Sequence, residues 1–395
     1  MALDLAAVRG ALAAEGLDGW LLYDFHGSNP IASQLAGVAG GPRMTSRRWY
    51  YLIPASGEPR GLVHATERHN LDHLPGLKAV YAGRDQLEAG LTRLLEGMRR
   101  VAMEYSPRCA IPYISRVDAG TAEAIRARGV EILSSGDLVQ QFEATWTAAQ
   151  LASHRAASDA LYRIKDRAFE AAAAALSAGR PQTEYDLQQA MVRWFDDEGL
   201  VSDSAPIVAI GGNAGNPHYL PTAAQSRPIV PDEVLLLDLW GKKGAPGAVF
   251  ADITWVAVTG AQVPAEPAKA FRAIAAARDA AVRLVEDAAA GDRELRGWEV
   301  DRAARQVLEQ EGYGYRILHR TGHSLGESVH GNGTHLDDYE THDDRRLLPG
   351  PGSPSNRVCI SRASACAPRS TSIAASARRW SPGRASRKSL RYDER

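Results

Sequence analysis

Apolar positions over the first 145 residues alternate between a helical and a strand period. Leu5, Val8 and Leu12 fall at i, i+3 and i+7 with Gly16 just beyond, which predicts a short helix and its stop. WLLYDF, WYYLIP, GLVHA, KAVYA and VAMEY are short apolar runs rich in β-branched and aromatic residues. They predict strands, with helical stretches such as DQLEAGLTRLLEGM between them. Alternation of strand and helix predicts an α/β layer domain.

Near residue 148 the pattern changes. Ala148 to Ser177 is Ala-rich and helical, and Thr183 then opens a second helix with Asp186 three residues on, a variant of the capping box. Within it Leu187, Ala190, Met191, Trp194 and Phe195 make one apolar stripe that needs a core to face. PIVAIG, EVLLLDLWG and FADITWVAVTG follow as strands, then helices from Ala265 to Ala289 and from Trp298 to Glu311. Helices on a mostly antiparallel sheet make this part α+β. The boundary falls near residue 145, giving an N-terminal α/β domain over 1–145 and an α+β domain over 146–350, without a short-period repeat.

Composition narrows the class. At 395 residues, two domains are expected, and 45% apolar with 24% charged residues is the balance of a soluble globular protein. A formal charge of −1 sets up no overall field to attract nucleic acid or anionic lipid. The charge is unevenly placed: residues 351–395 hold ten Lys and Arg against two Asp and Glu, a balance of +8 that leaves −9 for the first 350. Cys109, Cys359 and Cys366 cannot form a disulfide framework and lack zinc-finger spacing, which fits a reducing cytoplasm. The N-terminus carries Asp and Glu inside its apolar pattern, unlike a signal peptide, and no uncharged apolar run nears the roughly 20 residues of a membrane span.

Candidate chemistry begins with Asp238 and Asp252, each inside an apolar strand, VLLLDLW and FADITWVAV, where an ionised carboxylate is costly unless compensated. GKKGAPGA between them is a turn composition. A hairpin centred near Ala245 would pair the two aspartates directly, side chains on one face about 5 Å apart. Like charges so close need a proton or a cation between them, and paired divalent metals need such bridging carboxylates. In HRTGHSLGESVHGNGTHLDD, His323 sits between glycines that allow close backbone approach, and His330 follows seven residues later, as ligand and proton-donor types. His319, His335 and His342 read as ordinary loop histidines. His218, in the loop GGNAGNPHYLPT, is a candidate binding residue held on a rigid frame.

VLLLDLWG, FADITW, TGHSLGESVHG and the upstream NPHYLPT, in this order, resemble the pita-bread metallopeptidases: Xaa-Pro aminopeptidases, prolidases and methionine aminopeptidases. The resemblance covers about residues 150–350, and the preceding segment resembles the N-terminal domain of the Xaa-Pro branch and of creatinase. It implies a C-terminal pita-bread (creatinase/aminopeptidase-like) domain that cleaves the bond preceding proline in an Xaa-Pro dipeptide or short peptide. It further implies two divalent metal ions (Mn, Co or Zn) and a homodimer. By resemblance Asp238 and Asp252 are metal ligands, Asp252 bridging, and His323 is the histidine ligand. His218 and His330 would line the substrate pocket and bond the scissile carbonyl or the tetrahedral intermediate. No nucleic-acid or membrane partner is implied.

The family's remaining ligands are two glutamates, in an E-P-G and an R-T-E-I motif, and neither appears after LLPG ends at Gly350. The tail over 351–395 has too few aliphatic positions to bury a strand and is expected to be disordered. Reading each codon one nucleotide earlier lets Ser353 through Ile360 become F-S-I-E-P-G-V-Y, and Ala365 through Thr371 become R-L-R-T-E-I-D. Both missing motifs return in order, which places a frameshift near Gly350 to Gly352, in the gene or in its recorded sequence. As written, the chain supplies three of the five ligand side chains. Two alternatives follow, a pseudoenzyme that binds peptide without turnover and a metal-free creatinase-like amidinohydrolase. A divergent basic arm is a weaker account of the tail.

Overall fold

Strands β1 (Gly19–Asp24), β2 (Trp49–Pro54), β3 (Arg60–His64), β4 (Leu77–Tyr81), β5 (Arg100–Met103) and β6 (Glu131–Ser134) form one sheet in the order β4-β3-β2-β1-β5-β6. The computed structural model to which they belong describes residues 3–39 and 44–348. The sheet is mixed. β2 runs antiparallel to β1 and β3, whereas β3–β4, β1–β5 and β5–β6 are parallel. Every residue of β1 and β2 is buried, because helices cover both faces, which is why these strands read as unbroken apolar runs. Alternate side chains serve opposite cores. Trp20, Leu22, Tyr51 and Ile53 pack with Val8 and Leu12 of α1 (Leu5–Ala14). Leu21, Tyr23, Tyr50 and Leu52 pack with Leu87 and Leu91 of α3 (Arg84–Leu94) and Ile125 of α4 (Ala119–Arg126). Gly16 ends α1 in a left-handed conformation, φ +64°, as its position predicts. The short α2 (Pro30–Leu35), α5 (Gly136–Phe142) and β6 were not legible as separate elements.

The chain divides into two compact units. Of the described residues, one holds this sheet and takes in those up to 152 with 281–303 and 320–348; the other comprises 153–280 and 304–319.

In the second unit α6 (Ala148–Ser177) and α7 (Glu184–Asp197) supply one side of a core. Leu161, Ile164, Leu187 and Met191 meet Val208, Leu237 and Ile253 there. The sheet is antiparallel: β9 (Val234–Lys243) pairs with β7 (Leu200–Val201), β8 (Ile207–Ile210) and β10 (Ala251–Val258). The Thr183 cap forms as expected, its hydroxyl accepting from Asp186 N–H while Asp186 accepts from Thr183 N–H. α8 (Ala265–Ala290) buries Ala270, Ala273, Ile274, Ala277 and Ala281 on one stripe, and α9 (Gly297–Gln310) buries Val300, Ala304 and Leu308. Among the described residues no helix is long and apolar enough to cross a membrane. The expected disorder of 351–395 and the frame change near Gly350 lie outside the described residues.

Candidate functional site

Asp238 lies mid-strand in β9 and Asp252 in β10, both buried, 1% and 7% exposed. The direct pairing expected for them is corrected by the register. Asp238 faces Thr254 and Asp252 faces Trp240, so the hairpin is centred one residue later than Ala245. The cause is tertiary. Ser153 Oγ of α6 accepts the Val249 N–H, and buried His154 donates from Nδ1 to the Phe250 carbonyl (2.8 Å). Residues 249 and 250 are thus engaged by α6 and do not extend the ladder. Both aspartates still share a face, as diagonal neighbours about 7 Å apart between Cα atoms. Thr254 Oγ1 donates to Asp238 Oδ1 at 2.6 Å, and Trp240 Nε1 donates to Asp203 at 2.7 Å.

His323 and His330 belong to the other unit. Gly322 and Leu336 exchange backbone hydrogen bonds, closing the loop that carries both histidines. Buried Asp301 of α9 clamps its base, accepting from Thr321 N–H (2.7 Å) and Asp338 N–H (3.0 Å). Asp343, buried and paired with Arg345 at 2.6 Å, accepts the His335 N–H. The close approach that glycine permits occurs at Gly331, where a Cβ would meet the Leu325 carbonyl carbon at 2.9 Å. The two imidazoles come together, ring centroids 4.4 Å apart at 71°. His323 Nδ1 lies 3.1 Å from the Ser324 carbonyl; as a donor there it leaves Nε2 as the lone-pair nitrogen.

His335 is not the ordinary loop histidine it reads as. It is wholly buried against the Tyr113 ring, its Nδ1 accepts the Ser324 N–H, and its Nε2 has no partner among the described residues. Burial, reinforced by Arg345 and Arg320, holds its pKa well below the usual histidine value, so the ring is neutral. His342 conforms better, exposed and bonded to Asp338 at 2.6 Å.

His218 is exposed in the segment joining β8 to β9. The residue missed beside it is Glu184, wholly buried at the start of α7 and bonded to that segment at several points. An acidic residue in the first turn of a helix is favourable on charge alone, so no sequence signal marked it as buried. Asp301 escaped notice for a similar reason, sitting beside the apolar stripe of α9.

Two buried carboxylates on one sheet face and an imidazole with a lone-pair Nε2 are the donors divalent transition metals take, so the residues fit such ions in kind. They are three in number. Among the described residues no group of three or more His, Cys, Asp or Glu is gathered closely enough to hold a metal ion.

Residues 157–351 match the model of metallopeptidase family M24. Over 134 residues, 34% of this chain, the sequence is 28% identical to an Xaa-Pro dipeptidase of Lactobacillus helveticus; the match spans 33% of that relative's length. A dipeptidase of Mycobacterium ulcerans superposes with a TM-score of 0.61 at 22% identity, covering 88% of this chain and 85% of its own. An Xaa-Pro dipeptidase from Bacillus anthracis gives 0.53 at 19%, covering 88% and 86%. The aminopeptidase P of Escherichia coli gives 0.50 at 13%, covering 91% and 90%. At such identities the likeness establishes the fold, and the expected α/β plus pita-bread architecture is borne out.

Proposed function

From a chain that carries a metallopeptidase domain of family M24 over residues 157–351, we propose hydrolysis of the peptide bond preceding proline, as an Xaa-Pro dipeptidase or aminopeptidase. The observation that carries this reading is the pair of buried aspartates sharing one face of β9 and β10 inside the matched region. The matched relative from Lactobacillus helveticus bears the same substrate class in its name. Asp238, Asp252 and His323 would hold the divalent ions, proposed to be two of Mn, Co or Zn, which when bound would supply a water of lowered pKa and polarise the carbonyl. His218 and His330 would donate hydrogen bonds to the carbonyl oxygen before proline and to the oxyanion that replaces it. The proline nitrogen has no N–H to offer, so recognition rests on this carbonyl and on the shape of the ring. In this reading the protein works as a homodimer in the cytoplasm, its peptidase domain beginning near residue 146.

A second reading, peptide binding without turnover, is favoured by the incomplete ligand set among the described residues. Proline release from alanylproline, with metal content measured on the same samples, separates the two. Release that depends on added Mn, Co or Zn is expected, and Asp252→Asn should abolish it and most bound metal while leaving the unfolding curve unchanged. Full turnover and metal content in that variant would overturn the bridging role. No release from the parent under any metal leaves the binding reading.

A further inference from the structure

One buried carboxylate gathers the segment that carries His218. Glu184 is wholly buried at the start of α7. Its Oε1 accepts the Ile210 N–H at 2.7 Å and Asn213 Nδ2 at 3.0 Å. Its Oε2 accepts the Arg227 N–H at 2.7 Å and the Tyr219 hydroxyl at 2.5 Å. Ile210 and Arg227 bound the part of the segment that carries His218, residues 210–227, and Asn213 and Tyr219 lie within it. Glu184 N–H also donates to the Arg227 carbonyl at 2.9 Å, fixing the backbone at the exit. The Arg227 guanidinium turns elsewhere, to Glu233 at 3.0 Å and to the Ile210 carbonyl at 3.1 Å. A carboxylate offers about four acceptor sites, and all four are taken by donors from the segment. His218 is next to Tyr219, and both their N–H groups bond back to Asn216.

We propose that Glu184 is the positioning residue of the His218 segment: its carboxylate sets the conformation of residues 210–227 and so presents His218 to the peptide. The proposal rests on the functional reading above for what His218 touches, though the anchoring itself does not. Burial of an anion without a cationic partner is costly, and here donor dipoles from the segment compensate it. Charge and loop conformation are therefore linked. Removing the charge removes the reason for the convergence. Glu184→Gln keeps the shape but puts an NH2 where an oxygen stood. In either orientation that NH2 faces a backbone N–H, of Ile210 or of Arg227, and at least two donors lose their acceptor.

Hydrogen exchange tests the anchoring without any turnover. In Glu184→Gln, amides of 210–227 should exchange about tenfold faster or more, the scale of losing buried hydrogen bonds, while β1 and β2 keep their protection. Tyr219→Phe, which removes one bond and leaves the carboxylate, should show a smaller increase confined to the middle of the segment. It decides the matter if Glu184→Gln does not fold. Kinetics then separates positioning from general support. Glu184→Gln should raise KM for alanylproline about tenfold, and should have no further effect in a His218→Ala background, because it acts through that residue. Unchanged exchange over 210–227 in both variants overturns the proposal, as does a KM effect that adds fully to His218→Ala. A parent chain that neither binds nor cleaves alanylproline removes the functional reading alone, and the exchange result still decides the anchoring.

Discussion

Single residues carry two kinds of chemistry here, and each can be read separately. Glu104 lies wholly buried in the first unit, accepting from Trp20 Nε1 (2.8 Å), Asn29 Nδ2 (2.8 Å) and Ser135 Oγ (3.0 Å). Burial pushes its carboxyl above the ordinary value of 4.5, outweighing the three donors. The folded chain therefore binds a proton that the unfolded chain has released, over the window between the unfolded pKa and the higher folded one. Stability from this group is complete below that window and is lost as pH rises through it. Glu104→Gln removes the titration, so the parent should lose stability relative to the variant as pH rises from 4.5 toward 7. Urea midpoints of both proteins across that range check this, and a difference that does not vary with pH would refute it. His330 belongs to the second kind. It lies exposed beside His323, and if it acts on substrate as proposed, His330→Ala should lower kcat/KM by about 10², with metal content unchanged. A parallel loss of metal would make it a ligand.

Elements divide into those whose existence is local and those whose alignment is not. α7 is of the first kind: a capping box at Thr183 and a stripe of Leu187, Met191 and Phe195 define it, and its start and buried face follow from the sequence. The cap and the stripe differ in energy. Thr183→Ala should cost about 1 kcal/mol, and Leu187→Ala, at a side chain with no exposure, roughly 2–5 kcal/mol. Urea unfolding of the two variants gives the ratio; equal losses would mean the stripe is not the helix's main support. The β9–β10 hairpin is of the second kind. Two apolar runs and a Gly/Pro turn announce it, yet the centre lies one residue beyond the place composition indicates, because α6 engages Val249 and Phe250. That shift turns direct partners into diagonal ones while keeping both aspartates on one face, since the side-chain period is two.

For the whole molecule, the question is whether the chain as written can reach full metal affinity. Asp238, Asp252 and His323 are the ligand types in hand, and the two glutamate motifs return only in a shifted reading frame. Adding one base near codon 350, or removing two, should restore E-P-G and R-T-E-I, with metal binding and alanylproline cleavage rising together. Equal metal content and rate before and after restoration would mean that residues 351–395 supply ligands of their own. The comparison with family M24 ends at residue 351, where that change of frame is inferred.

The sequence by itself determined which segments are helix or strand wherever a period ran long enough. The uninterrupted apolar strands β1 and β2, the 30-residue helix α6 and the paired aspartates inside apolar runs are examples. Their signals are local: side-chain period, caps and the cost of burying charge act within a few residues. It also singled out His323 and His330, whose rings come together. Tertiary structure alone decided the hairpin register, the burial of His335, and the convergence of residues 210–227 on Glu184. Each of these depends on which distant group reaches a backbone donor or acceptor first. Hydrogen bonds between residues 26 to 43 positions apart leave no period along the chain to read.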